Sequence, residues 1–138
     1  ILEDGTLAAP GTVNTLKWDY ITLPIGGGSA AYKLSNVLVN QQAADADGYG
    51  RVTFEALTAE AGVTVPELLK ALALFPIDTG DHGGDYVHMR NIGERMGYAG
   101  GSWSSSAGGG IFSMIAYGRR TIINSAIGFR CAYVDIPG

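Results

Sequence analysis

Glycine constrains the fold of this chain more than any other residue, because 21 of its 138 residues are glycine. Glycine in a helix interior costs about 0.5–1 kcal/mol relative to alanine, and it is common in turns. This content favours many turns and short strands over a helix bundle. Hydrophobic residues make up 46% of the chain and charged residues 16%, so the composition is that of a folded protein. A chain of this length most economically forms one domain with a real core.

The first part of the chain passes from loop-like to strand-like sequence. Asp4-Gly5 and Pro10-Gly11 are typical of turns, and we interpret residues 1–16 as an N-terminal arm or linker. The domain itself is then expected over residues 17–138. Residues 18–23 alternate and are rich in aromatic and β-branched side chains, which predicts a strand. Residues 32–39 predict a second extended segment.

Two short helices are predicted next. The first is indicated by apolar residues at helical spacing before a glycine that would end it: Phe54, Leu57, Ala61 and Gly62. The second begins at Thr64-Val65-Pro66-Glu67, which has the form of a capping box with proline in the first turn. Its apolar face ends before Pro76 and consists of Leu68, Leu69, Leu72 and Phe75.

From residue 78 onward the pattern becomes that of strands. Residues 86–90 alternate, and residues 127–134 predict the last strand, which would pair with residues 18–23 and bring the chain ends together. A strand over residues 112–117 would place Phe112, Met114 and Ala116 on one face. The other face would carry Ser113, Ile115 and Tyr117. The first set suits a core, whereas exposed apolar groups clustered like the second set usually mark a contact site.

Charge is distributed unevenly along the chain. Residues 1–94 hold twelve acidic and five basic residues, for a net charge of −7, and residues 95–138 hold four arginines and Asp135, for a net charge of +3. The arginines are scattered over strand-like sequence and make a poor phosphate-binding stripe, so we expect no nucleic-acid partner. No apolar run reaches the roughly 20 residues that a membrane span requires, so we expect none.

Two glycine-containing anchors bracket a segment in the last third of the chain that is rich in small residues and contains no acidic residue and no lysine. The anchors are Gly100-Gly101-Ser102-Trp103 and Ile127-Gly128-Phe129-Arg130, with Arg120 between them. They resemble the end of the formylglycine-generating-enzyme-like branch of the C-type lectin fold. The closer resemblance is to the variable proteins of diversity-generating retroelements, which include phage receptor-binding tail proteins. In that family the segment between the anchors is copied from a template RNA whose adenines are mutated during copying.

The resemblance implies which positions of this chain vary. Template codons of the AAC type for asparagine, mutated only at adenines, can give Ser, Gly, Ile, Tyr, Ala or unchanged Asn, but not Lys, Glu or Gln. No Lys, Glu or Gln occurs in residues 104–126. Ile123 belongs to the variable set only if the template had Asn there. The implied ligand-binding positions are Ser104, Ser105, Gly108, Ile115, Tyr117, Gly118, Ile122, Ile123, Asn124 and Ala126.

The resemblance also implies the scaffold and the fold. The expected fold class is α+β, a C-type lectin fold with two short helices packed on mixed, mostly antiparallel strands. The scaffold positions would hold the backbone in place while the variable side chains change. They are Gly100, Gly101, Trp103, Phe112, Arg120, Gly128, Phe129 and Arg130.

Catalysis and metal binding are weakly supported by the residues. The related oxidases use a pair of active-site cysteines, but this chain has only Cys131, so we expect no enzyme and regard the oxidase as a less favoured reading. Asp45 and Asp47 resemble the start of a calcium loop, but the twelfth position holds Ala56 where that loop needs Glu. We therefore expect no cofactor, with calcium at these two residues as the remaining candidate. His82 and His88 lack tight ligand spacing.

The expected function is non-catalytic recognition of a host or target cell-surface protein or glycan by a diversified surface. That role implies a location on a virion tail, outside the cell or on the cell surface. The alternative is a structural phage or surface protein whose 104–126 face forms an interface in a homo-oligomer.

Overall fold

The computed structural model describes residues 15–23, 28–44, 48–101, 106–119 and 121–123. These residues form seven strands, one short α-helix and two 3-10 turns. The strands are β1 (Lys17–Thr22), β2 (Ala31–Ser35), β3 (Gly50–Thr53), β4 (Thr58–Ala59), β5 (Tyr86–Met89), β6 (Met96–Ala99) and β7 (Met114–Gly118). The helix is α1 (Glu67–Ala71), and the 3-10 turns are Phe54–Ala56 and Ser106–Gly108.

The strands form two mixed sheets. The first has the order β1-β2-β4, in which β1 and β2 are antiparallel and β2 and β4 are parallel. The second has the order β3-β5-β7-β6, in which only β5 and β7 are parallel. The segment before β2 joins the two sheets, because the Ala30 amide donates to the Arg51 carbonyl of β3 at 2.9 Å.

Both sheets contribute to one hydrophobic core. The first sheet supplies Tyr20, Tyr32 and Leu34, and the second supplies Val87 and Met89 among others. Burial of one large apolar side chain of this kind contributes about 1.5–3 kcal/mol. Phe54, Leu57, Leu69 and Phe75 complete the core from the connecting segments.

The predicted α+β C-type lectin fold with two short helices is wrong, because the described residues are mostly β and contain a single α-helix. The first predicted helix is instead the 3-10 turn Phe54–Ala56 followed by β4. A 3-10 turn has three residues per turn and places residues i and i+3 on one side, so it also buries both Phe54 and Leu57. Leu57 is already extended, with φ of −68° and ψ of 131°.

The second predicted helix is present but short. It covers Glu67–Ala71, and no side chain caps its first turn, so the predicted capping box does not form. The helix ends early because Ala73 adopts a positive φ of 52°. Phe75 therefore reaches the core from the turn that follows and stacks with Trp18 at 6.0 Å.

The predicted strands over residues 18–23 and 86–90 are confirmed as β1 and β5. Among the described residues, β1 lies at the edge of its sheet, and two backbone carbonyls there accept from asparagine side chains. Asn40 Nδ2 donates to the Tyr20 carbonyl at 2.8 Å, and Asn91 Nδ2 donates to the Trp18 carbonyl at 3.3 Å. The predicted partner strand over residues 127–134 lies outside the described residues, so this pairing stays a prediction.

Candidate functional site

The outer face of the second sheet carries a row of large side chains fixed by strand register. Arg51 of β3 is opposite His88 of β5, and His88 is opposite Ile115 of β7. Tyr98 of β6 is opposite Ile115 on its other side. Residues directly opposite each other point to the same side of a sheet. The inner side of the same strands carries the core residues Val52, Val87, Met89 and Met114.

A second row lies two residues along the strands and is aromatic. The rings of Tyr49 and Tyr117 stack at 4.6 Å with an interplanar angle of 16°. The Arg90 guanidinium lies 5.8 Å from the centre of the Tyr117 ring, and its Nε donates to the Gly48 carbonyl at 2.7 Å. We call the surface formed by Tyr49, Arg51, Tyr86, His88, Arg90, Tyr98, Ile115 and Tyr117 the tyrosine face.

His88 lies at the centre of the tyrosine face. Its ring meets the ring of Tyr49 edge to face at 5.3 Å, and the rings of Tyr86 and Tyr117 lie 6.1 and 6.5 Å away. Burial, and secondarily the positive charge of Arg51, lower the pKa of His88 below its ordinary value of 6.5. The imidazole is therefore mainly uncharged at neutral pH. Its Nδ1 is buried and has no hydrogen-bond partner among the residues that the structure describes.

Tyr86 is enclosed by its neighbours. The guanidinium of Arg51 lies 4.5 Å from the centre of its ring, within the range of a cation–π interaction. The backbone of Gly108 packs so closely against the same ring that a Cβ at Gly108 would overlap it. Tyr86 therefore connects the sheet to the segment that leads into β7.

Tyr98 and Tyr117 lie on the neighbouring strands β6 and β7. Burial raises the pKa of Tyr98, and Tyr117 raises it further through its charge and through a side-chain hydrogen bond. The Tyr117 carbonyl also accepts from a guanidinium nitrogen of Arg95 at 3.3 Å. Tyr117 is thus held by Tyr49 just before β3, by His88 of β5 and by Tyr98 of β6.

The charge on the tyrosine face is positive. Arg51 and Arg90 are its two formal charges, and neither lies within ion-pair distance of a carboxylate in the part of the chain that the structure describes. The lysines, by contrast, form ion pairs elsewhere: Lys33 with Glu60 and Lys70 with Glu67, each at 2.7 Å.

Ile115 and Tyr117, two of the predicted ligand-binding residues, lie together on the tyrosine face, where both are half-buried. Gly118 is buried, and a Cβ there would lie 3.2 Å from Cδ1 of Ile122. Ile123 follows in the turn after β7 with 98% of its surface exposed. Gly108 lies beneath Tyr86, as described above. Ser104, Ser105, Asn124 and Ala126 lie outside the described residues.

The predicted scaffold residues that the structure describes hold the segment before β7. Phe112 stacks on Phe54 at 5.2 Å, and its amide donates to the buried Asp85 carboxylate at 2.9 Å. Gly100 has a φ of +92°, which L side chains rarely adopt, and its amide donates to the Ser113 carbonyl at 2.8 Å. Gly101 lies so close to the Gly109 backbone that a Cβ there would overlap it. The remaining scaffold positions, Trp103, Arg120, Gly128, Phe129 and Arg130, lie outside the described residues, as does Cys131.

The acidic residues before β5 have structural partners. Asp78 and Asp81 accept backbone amides within their own turns, and His82 Nδ1 lies 2.8 Å from the Gly80 carbonyl. The described ranges contain no group of three or more His, Cys, Asp or Glu residues that could hold a metal ion. Asp45 and Asp47, the calcium candidates, fall outside those ranges.

Sequence reasoning missed most of the tyrosine face: Tyr49, Arg51, Tyr86, His88, Arg90 and Tyr98. A signal was present in residues 86–90, where tyrosine, histidine and arginine alternate with valine and methionine. Alternation predicts which side chains of a strand share one face, but it does not predict which other strands lie beside that strand. The parallel pairing of β5 with β7, which joins distant parts of the chain, places that face beside Ile115.

Among the described residues, no helix is both long and apolar enough to cross a bilayer. No protein-family model matches this chain, and no curated protein is significantly similar to it in sequence.

Proposed function

We propose that this chain is a non-catalytic recognition protein that binds a protein or glycan on the surface of a host or target cell through the tyrosine face. Its side chains at the variable positions within residues 104–126 would differ among copies of the gene by templated mutagenesis. The resemblance of its anchors to the variable proteins of diversity-generating retroelements supports this role. It would act on a virion tail or at a cell surface.

The observation that carries the proposal is the position of Ile115 and Tyr117. They share an outer sheet face with three further tyrosines and two arginines. Tyrosine and arginine are enriched among the residues that dominate binding energy at protein interfaces. Tyrosine offers a large contact area and a hydroxyl at low entropic cost.

The alternation along β7 separates this surface from the core. Met114 is 3% exposed and packs in the core, while Ile115 and Tyr117 point to the opposite side. Changes at the two outward positions would therefore leave the packing of Met114 intact. A surface that varies without unfolding its scaffold needs such a separation.

A matched pair of isoleucine substitutions tests the proposal. Fluorescently labelled protein is titrated onto a panel of intact bacterial and animal cells, and binding is measured by flow cytometry. Ile115→Ser should weaken binding about tenfold or more, as loss of a central apolar contact does. Ile77→Ser makes the same chemical change at a residue that is 70% exposed outside the tyrosine face, and it should have no effect.

Equal binding by both variants would contradict the proposal. Size-exclusion chromatography of the same proteins tests the alternative, in which this face forms an interface in a homo-oligomer. If Ile115→Ser dissociates an oligomer of the wild-type chain, the face joins copies of this protein instead of contacting a cell.

A further inference from the structure

We infer that the partner bound at the tyrosine face is a protein, and that it places an aspartate or glutamate carboxylate against Arg51 and Arg90. This inference rests on the proposed function and names the chemistry of the partner. It is drawn from the charge of the face and from the way its aromatic rings are packed.

The charge of the face is opposite to that of the chain. The whole chain has a formal net charge of −4, yet the tyrosine face holds two arginines and no acidic residue. His88 adds little positive charge at neutral pH, because burial lowers its pKa. A positive patch on an acidic protein steers and selects partners of negative charge.

Arg51 is available to a partner. Its side chain is exposed, and its guanidinium lies over the Tyr86 ring without an ion-pair partner among the described residues. Its guanidinium keeps its N–H donors, which match the two oxygens of a carboxylate. Arg90 uses Nε on the Gly48 carbonyl and keeps its terminal nitrogens. The two arginines flank His88: Arg51 lies directly across the sheet on β3, and Arg90 follows two residues later in the chain, just past the end of β5.

The packing of the rings disfavours ligands that bind by stacking. A nucleotide base stacks on the open face of an aromatic side chain. A sugar ring that packs on an aromatic side chain also needs an open face. Tyr49 and Tyr117 already cover each other, and Tyr86 lies between Arg51 and Gly108. Each of these three rings thus has at least one face that is already covered, which leaves less room for stacking than for contact with the mixed polar and apolar surface of a protein.

Three labelled polyanions test the inference by fluorescence anisotropy at low and at moderate salt. Poly-L-glutamate supplies carboxylates on a polypeptide, polygalacturonate supplies carboxylates on a glycan, and a single-stranded oligothymidylate supplies phosphates with bases. We expect poly-L-glutamate to bind most tightly and to weaken as salt is added. Arg51→Gln should weaken that binding about tenfold.

Lys70→Gln is the matched control, because it removes one positive charge from α1, which is outside the tyrosine face. It should bind poly-L-glutamate like the wild type. A second variant, Arg51→Glu, should abolish binding, and circular dichroism should show that both Arg51 variants keep the fold. Equal loss in Lys70→Gln and Arg51→Gln would overturn the inference. So would tighter binding of polygalacturonate or of the oligothymidylate.

Failure of this inference is distinguishable from failure of the proposed function. If Ile115→Ser loses cell binding while Arg51→Gln binds poly-L-glutamate normally, the face recognises a partner of other chemistry. If Arg51→Gln loses poly-L-glutamate binding but no cell is bound by the wild type, the charge inference stands and the proposed role is wrong.

Discussion

His88 occupies an unusual position for a titratable side chain. It is surrounded by the rings of Tyr49, Tyr86 and Tyr117, with Arg51 opposite it on β3. The aromatic neighbours exclude water, and the arginine adds a positive charge, so both effects oppose protonation of the imidazole. The tyrosine face should therefore be most stable with His88 uncharged.

A pH-dependent loss of stability follows from this position. The unfolded chain takes up a proton at the ordinary His pKa of 6.5, whereas the folded chain does so only at lower pH. The free energy of unfolding should thus fall as the pH is lowered through 6.5 towards the folded pKa. Urea unfolding between about pH 7.5 and pH 5.5 measures this slope. His88→Gln should reduce the slope, and an unchanged slope would show that His88 does not cause it.

The sequence predicted the direction and packing of some side chains but not of others. The outward direction of Ile115 and Tyr117 follows from alternation on a strand, and β7 confirms it. The close packing of Gly108 against Tyr86 joins residues 22 positions apart and leaves no trace in local sequence. If Gly108 varies, as the codon rule implies, any side chain there must displace the Tyr86 ring.

At the scale of elements, Asp85 fixes the path of the segment that leads into β7. Its carboxylate is 4% exposed and accepts the backbone amides of Gly110 at 2.7 Å and Phe112 at 2.9 Å. Gly110 lies so close that a Cβ there would overlap the carboxylate. Asp85 thus couples the start of β5 to the segment before β7.

Removal of this carboxylate should destabilise the domain strongly. Asp85→Ala leaves two partly buried amides without their acceptor and removes a buried carboxylate, which should lower the free energy of unfolding by about 2–4 kcal/mol. Asp81→Ala is the control, because its carboxylate accepts one amide in an exposed turn, and it should cost less than about 1 kcal/mol. Chemical denaturation measures both values, and similar losses would show that Asp85 has no special role.

The elements also show where local pattern is insufficient. The spacing of Phe54 and Leu57 fits an α-helix and a 3-10 turn equally well, because both place residues i and i+3 on one side. The outcome is decided by Thr58 and Ala59, which pair with β2. Pairing between distant segments is a tertiary effect that a short window of sequence does not contain.

At the scale of the whole molecule, a buried pair of tyrosines joins the two sheets. The hydroxyls of Tyr20 and Tyr32 lie 3.1 and 3.0 Å from the Met89 carbonyl oxygen of β5, within hydrogen-bonding distance. The Tyr32 hydroxyl also lies 3.1 Å from that of Tyr20, which lies 3.0 Å from Oε1 of Gln42, so each hydroxyl proton has two acceptors within reach and donates to one of them at a time. These bonds tie β1 and β2 to the strand at the centre of the tyrosine face.

This network should make the fold sensitive to alkaline pH. Burial, followed by the hydrogen bond to Tyr20, raises the pKa of Tyr32 far above its ordinary value of 10.0. Above pH 10 the unfolded chain ionises and the folded chain does not, so the free energy of unfolding should fall.

Tyr32→Phe tests this origin of the alkaline instability. At about pH 8 the variant should lose roughly 1 kcal/mol with its hydrogen bonds. Above pH 10 its stability should fall less steeply than that of the wild type, with Tyr20 accounting for part of the remaining slope. Urea midpoints at both pH values provide the measurement, and parallel curves would contradict it.

Composition predicted the general character of the whole molecule, because abundant glycine agrees with short strands and many turns. The α+β class was wrong, because the first expected helix was inferred from spacing that a 3-10 turn also satisfies, and the second forms only over Glu67–Ala71. The order of the strands could not be predicted from the sequence, since the parallel pairs β2–β4 and β5–β7 depend on contacts between segments far apart in sequence.

The DNA around the gene gives the most direct test of templated variation on this surface. If the segment varies by templated mutagenesis, we expect a near-copy of the DNA that encodes residues 100–132, close to a reverse transcriptase gene. The two copies should differ at adenines of the template in codons such as those of Ile115 and Tyr117, and agree at Phe112 and Met114. Absence of such a copy, or differences that fall equally on Phe112 and Met114, would contradict the account.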